Sequence, residues 1–150
     1  MKSKSKAGHL AVVVLIFTLV LIAGCSRSDQ PRVVVEIVFL PHAPAQAVVE
    51  KIEQVLAKKD GVEKRKFSFD EPGGQELAKK YGLESHMPVA IIINGKNSFR
   101  IKNRNVVFRN FPLGNDFVPS GMGGNWNYDD LSIVIDQESA RRTGSEKDRP

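Results

Sequence analysis

One cysteine, Cys25, is all the thiol that this 150-residue chain possesses, so no internal disulfide or dithiol pair can form. Only three histidines are present, His9, His42 and His86, which restricts any metal centre. Long apolar runs are missing too. The one uncharged stretch of note, Leu10–Ala23, is 14 residues, whereas a bilayer span needs about 20. Basic residues form no extended blocks: Lys79-Lys80 and Arg141-Arg142 are pairs that suit solvated faces, and no nucleic-acid partner is expected from them. There is no internal repeat and no second regime of composition, so the chain contains one domain of ordinary size.

What is present begins with a basic segment, Lys2, Lys4 and Lys6, followed by the apolar run and then small residues. That is the pattern of a secretory signal peptide. The stretch Leu21-Ile22-Ala23-Gly24-Cys25 resembles the lipobox of bacterial lipoproteins. The resemblance implies that residues 1–24 are removed and that the Cys25 thiol carries a diacylglyceryl group, with a further acyl chain such as palmitate on the new N-terminus. Several chains hold a protein on a membrane where one does so only marginally. The expected location is therefore extracytoplasmic and lipid-anchored. Ser26 after the cysteine implies the periplasmic side of the outer membrane in a diderm cell. Residues 25–32, with Pro31, read as the lipidated tether. Three of the 22 basic residues lie in the signal, which leaves 19 Lys and Arg against 17 acids.

Within the domain, expected over residues 33–142, Val33–Leu40 is almost wholly apolar and suits a strand buried on both faces. Val48, Ile52, Val55 and Leu56 form a helical stripe on Ala45–Lys59, with Lys58 and Lys59 in its last turn. Glu63–Phe69 reads as a strand, Pro72–Tyr81 as a helix stopped by Gly82, and Val89–Ile93 as a second buried strand. Asn94-Gly95 signals a hairpin into Ser98–Ile101. Val106–Phe108 either extends that hairpin or adds a short strand. Asn127 caps a last helix whose buried stripe is Leu131, Val134 and Ile135 and whose end is Arg141-Arg142; residues 143–150 read as a disordered tail. The order β-α-β-α-β-β-α makes an α/β domain.

That order, with particular residues, resembles the thioredoxin-like fold in its compact, glutaredoxin-like form. Strand Val33–Leu40 leads into His42-Ala43-Pro44-Ala45, where the family has Cys-X-Pro-Cys. Glu76–Gly82 resembles the helix before the family's cis-proline strand, and Met87-Pro88-Val89-Ala90-Ile91-Ile92-Ile93-Asn94-Gly95-Lys96 resembles that strand and its hairpin. The resemblance implies a three-layer sandwich with a cis peptide bond at Pro88 and an insertion, 102–123, before the last helix. It also exposes a departure. The two cysteine positions are His42 and Ala45, and Cys25 is consumed by lipid, so neither dithiol nor monothiol exchange carries over. The expectation is a protein without that catalysis and without a cofactor.

His42 could instead serve as a base or metal ligand with His86, or simply fill the space left by a thiol. The 102–123 segment is aromatic and glycine-rich. Gly121-Met122-Gly123-Gly124 lacks the lysine and spacing of a phosphate loop, so its glycines serve tight turns. Phe111, Phe117 and Trp126 either pack over the former redox face or present a partner-binding surface there. The function expected is a redox-inactive, membrane-tethered lipoprotein that binds or supports an envelope protein. The alternative is an unusual thioredoxin-family enzyme or metal-binding protein built on His42.

Overall fold

The computed structural model describes residues 33–84, 87–116 and 118–147. The signal and tether segments with Cys25, and also His86 and Phe117, lie outside the described residues. The elements run β1 (Val33–Phe39), α1 (Ala43–Leu56), β2 (Val62–Ser68), α2 (Pro72–Tyr81), β3 (Val89–Ile93), β4 (Ser98–Ile101), β5 (Arg104–Val107) and α3 (Tyr128–Lys147).

The apolar β1 is the central strand of a mixed sheet ordered β2-β1-β3. It pairs in parallel with β2 from Val33↔Val62 to Phe39↔Ser68, and antiparallel with β3 from Val35↔Ile93 to Phe39↔Val89. Side-chain alternation divides the two faces. Val33, Val35 and Ile37 of β1 and Val89, Ile91 and Ile93 of β3 meet the stripes of α1 (Val48, Ile52, Leu56) and α3 (Leu131, Val134, Ile135). Val38, Ala90 and Ile92 turn to the other face and meet Leu77 and Ala78 of α2 with Phe69 and Leu83. Each fully buried aliphatic side chain contributes roughly 1.5–3 kcal/mol relative to exposure. The sheet therefore has helices on both faces, in an α/β arrangement.

Four expectations are corrected. The Asn94-Gly95 turn forms, with Asn94 at φ 49° and Gly95 at φ 79°, but Ser98–Ile101 does not continue the sheet. It pairs with β5, from Ser98↔Val107 to Ile101↔Arg104, and this hairpin folds over the α1/α3 face, burying Phe99, Ile101 and Val106 there. The place beside β3 is taken by residues 108–110: Ile91 N–H donates to Phe108 O (3.0 Å) and Asn110 N–H to Val89 O (2.8 Å). The hairpin is thus an excursion from a strand position, and the long loop begins only after it.

Second, α1 spans Ala43–Leu56, because Pro44 fits the first turn where its missing N–H has no helical partner. Lys58 and Lys59 lie beyond its end, and Lys59 reaches Asp136 of α3 at 2.7 Å. Third, α3 continues to Lys147, so residues 143–147 of the expected tail are helical. The Thr143 hydroxyl donates to Ser139 O (3.1 Å), and Arg142 is tied to Asn94 Oδ1 (2.8 Å), which holds the helix past Arg142. Fourth, no cis peptide bond occurs among the described residues, so Met87–Pro88 is trans rather than cis. Pro88 precedes the first residue of β3, where no ladder N–H is required, and its carbonyl accepts from Leu40 N–H (3.0 Å).

Candidate functional site

The site lies at the C-terminal end of β1, where the chain leaves the sheet toward α1 on one face while β2 leaves toward α2 on the other. Such a divergence opens a crevice outside the carboxyl ends of parallel strands. Two backbone bonds set its floor: Leu40 N–H to Pro88 O and Phe69 N–H to Phe39 O, both 3.0 Å.

His42 is the N-cap of α1, with extended backbone (φ −106°, ψ 149°) and no side-chain capping bond. Its N–H donates to Leu40 O (2.8 Å) and its carbonyl accepts from Gln46 N–H (2.9 Å), which leaves the exposed imidazole facing the crevice from above the first turn. Ala43 and Pro44 are exposed in that turn, whereas Ala45 is buried. On one side of His42 is an apolar groove of about 180 Å³ between Leu40, Pro44, Ala45, Pro88, Phe111, Pro119 and Met122. On its other side is a wider, mixed cavity of about 510 Å³ bounded by Leu40, Phe69, Asp70, Gln75, Ala78 and Leu83.

The inserted loop forms the far wall of the apolar groove. Phe111 N–H donates to Met122 O (2.9 Å) and Gly124 N–H to Phe111 O (2.7 Å), so the loop closes on itself. Gly124 is required for space, since a Cβ there would strike the carbonyls of Arg109 and Phe111 and the Trp126 ring. Trp126 locks the base of the loop. It is fully buried, stacks edge-on against Phe108 (5.5 Å) and Tyr128 (5.8 Å), and donates Nε1–H to Arg109 O (3.0 Å) and Asn110 O (3.2 Å). As a partner-binding residue Trp126 is therefore corrected: it has no surface to present. Phe111 is 3 % exposed and contributes a wall of the groove rather than a free anchor.

The structure brings His42, Pro44, Ala45, Pro88 and Phe111 into one groove, from three distant parts of the chain. Sequence reasoning missed Leu40, Pro119, Met122, Asp70 and Gln75. Leu40 follows directly after β1 and Asp70 stands two residues after β2, places at the ends of parallel strands that are the one signal that could have found them. Among the described residues no group of three His, Cys, Asp or Glu side chains could hold a metal ion. Among them, too, no helix is long and apolar enough to cross a membrane. Comparison with protein-family models, with curated proteins and with solved structures gives no match to this chain.

Proposed function

We propose that this protein is a lipid-tethered envelope domain of thioredoxin-like design, without thiol chemistry, that docks a protein partner in the groove beside His42. The observation that carries the proposal is the groove itself. An apolar surface is left open where a redox motif would stand, walled by a loop whose own anchoring residue, Trp126, is buried. Two of the three most exposed large apolar residues among those described, Leu113 (53 %) and Val118 (39 %), belong to the same loop. Apolar side chains around a groove are common anchors of protein interfaces. Support for the thioredoxin-like design comes from the parallel β1/β2 pair, the antiparallel β3 and helices on both faces; the trans Pro88 departs from the family.

A photo-crosslinking residue placed at Met122, in whole cells, should give one discrete protein adduct, and the same residue at the exposed Ile133 of α3 should not. No adduct at Met122, or the same adduct at both sites, overturns the docking proposal. Cys25→Ser should release the protein from the membrane fraction; retention there rejects the tether. Disulfide reduction by the purified chain should be nil, and measurable turnover rejects the absence of thiol chemistry.

A further inference from the structure

The wider cavity beside His42 takes no part in the docking proposed above. It shares only Leu40 and His42 with the apolar groove; its other walls come from the β2–α2 junction, from α2 itself and from Leu83. At about 510 Å³ it has the size of small-molecule sites. Its lining divides by chemistry. Phe69, Ala78 and Leu83 are buried and make an apolar floor with the half-buried Leu40. His42, Asp70 and Gln75 are exposed and make a polar rim. Backbone bonds fix the stems of all three: His42 N–H to Leu40 O (2.8 Å), Asp70 N–H to Ser68 Oγ (3.1 Å) and Gln75 N–H to Glu71 O (3.0 Å). Their side chains, by contrast, have no partner among the described residues. Asp70 brings the one carboxylate of the described lining, which contains no lysine or arginine.

We infer that this cavity binds a primary ammonium carried on an apolar body, the ammonium at Asp70 and the body on the floor of Leu40, Phe69 and Leu83. An ammonium has donors and no acceptor. The rim offers it the Asp70 oxygens, Gln75 Oε1 and an imidazole nitrogen, and a bond between ammonium and carboxylate is among the stronger hydrogen bonds. An anion would meet the Asp70 carboxylate with no cation in the lining to offset it. A wholly apolar molecule would displace water from three polar groups and leave them unmatched. This ammonium chemistry has two sources, a free amine and the amino-terminus of a polypeptide.

The test adds phenethylammonium to the isotope-labelled full chain in neutral detergent micelles and follows amide signals by NMR. Those of Asp70, Gln75 and Leu83 should move saturably and that of Met122, in the apolar groove, should stay. 3-Phenylpropionate and N-acetylphenethylamine keep the ring without the positive charge, and ethylammonium keeps the charge without the ring; each should bind at least about tenfold more weakly. Asp70→Asn, at an exposed site, should weaken phenethylammonium about tenfold, and Gln75→Glu, which adds a second carboxylate, should strengthen it. The peptide Leu-Gly-Ser-Gly, set against its acetylated form, distinguishes the sources: tighter binding than phenethylammonium, lost on acetylation, assigns a polypeptide terminus, and weaker binding assigns a free amine. Equal binding of phenethylammonium and 3-phenylpropionate, or affinities unchanged in both variants, overturns the ammonium site. Equal binding of ethylammonium leaves only attraction to Asp70 and overturns the apolar seat. Movement at Met122 in place of Asp70 puts the amine in the groove, which also overturns the inference. No saturable movement with any probe overturns it while leaving the docking function, read by crosslinking at Met122, untouched.

Discussion

The two ends of β1 are held together by different means. At its start, where Val33 N–H donates to Gly61 O (2.8 Å), the joint is polar. The side chain of Asn94 accepts from Val34 N–H (3.1 Å) and Arg142 Nη2 (2.8 Å) and donates to Glu138 Oε2 (3.0 Å), while Arg141 holds the other Glu138 oxygen at 2.7 Å. Lys59 pairs with Asp136 (2.7 Å) between the end of α1 and α3. At the far end the joint is built on rings, Phe108, Trp126 and Tyr128 stacked edge to face, with one ion pair beside it from Arg104 Nη2 to Asp130 Oδ1 (2.6 Å). One end is held by a network of charged and amide groups, the other by stacked rings with a single ion pair at their edge.

The largest effect expected follows from removing the apolar joint. Trp126→Ala should cost about 3–5 kcal/mol in denaturant unfolding, as for other buried aromatic truncations. Trp126→Phe should cost less, since a ring still faces Phe108 and Tyr128 and the losses are the N–H to Arg109 O and Asn110 O and the volume of the second ring. If the two variants were equally destabilised, the joint would be polar after all and the contrast between the ends would dissolve.

Glycines sharpen the same contrast. At the groove end Gly74 is needed for space: α2 starts so close to β2 that a Cβ there would collide with the Ser68 carbonyl. At the opposite end Gly61 has open space around it and is needed only for its φ of 67°. Gly74→Ala should therefore cost about 3 kcal/mol by forcing backbone apart, and Gly61→Ala about 1 kcal/mol. Comparable midpoints for the two variants would show that α2 shifts freely, which is incompatible with a preformed crevice.

Much of this contrast was hidden in the sequence for reasons that can be stated. The strand Val89–Ile93 and the helix Pro72–Tyr81 stop where residue chemistry says they should, with Gly82 at φ 58° ending the helix, and β1 stops at Phe39, one residue short of the expected Leu40. The cap of α3 was also legible: Asn127 Oδ1 accepts from Asp130 N–H (2.8 Å) and Asp130 Oδ2 accepts from Asn127 N–H (2.9 Å). The strand beside β3 was not. Ser98–Ile101 has the alternation of a half-buried strand, and periodicity cannot say which partner it alternates against. Residues 108–110, which take the place, are too short to show a period. The groove was foreseen only in part: Pro44 and Pro88 carried the resemblance and Phe111 stood in the segment that departs from it, whereas Leu40 had only its place after β1 and Met122 had no local mark.

The polar joint should respond more weakly than the apolar one. Asn94→Ala removes three hydrogen bonds, leaves the Val34 N–H without its side-chain acceptor and puts a β-carbon residue without local hydrogen bonding at φ 49°, so about 2 kcal/mol should be lost. Asn94→Gly relieves the backbone but not the bonds. The difference between the two variants, read from unfolding midpoints, separates conformation from bonding; identical losses would mean that the turn conformation contributes nothing at this end.

The smallest effect belongs to the sheet edge, between the two ends. Glu53 on α1 holds Lys64 (3.0 Å) and Lys66 (3.3 Å) of β2, and the hydrogen bond from Lys64 is the main cause of its lowered pKa, which burial partly opposes. A carboxylate with a lowered folded-state pKa adds stability above its unfolded value and loses it as pH falls through the folded value. These side chains are largely solvated, so Glu53→Gln should cost only about 0.5 kcal/mol at neutral pH. The gap between the variant and the wild type should close in acid and again in high salt, because both remove the same Coulombic attraction. A gap that persists in acid would assign Glu53 a packing role instead of a charged one. In that case β2 would be held to α1 as the groove end is held, by contact, and only the β1 entry would remain a polar joint.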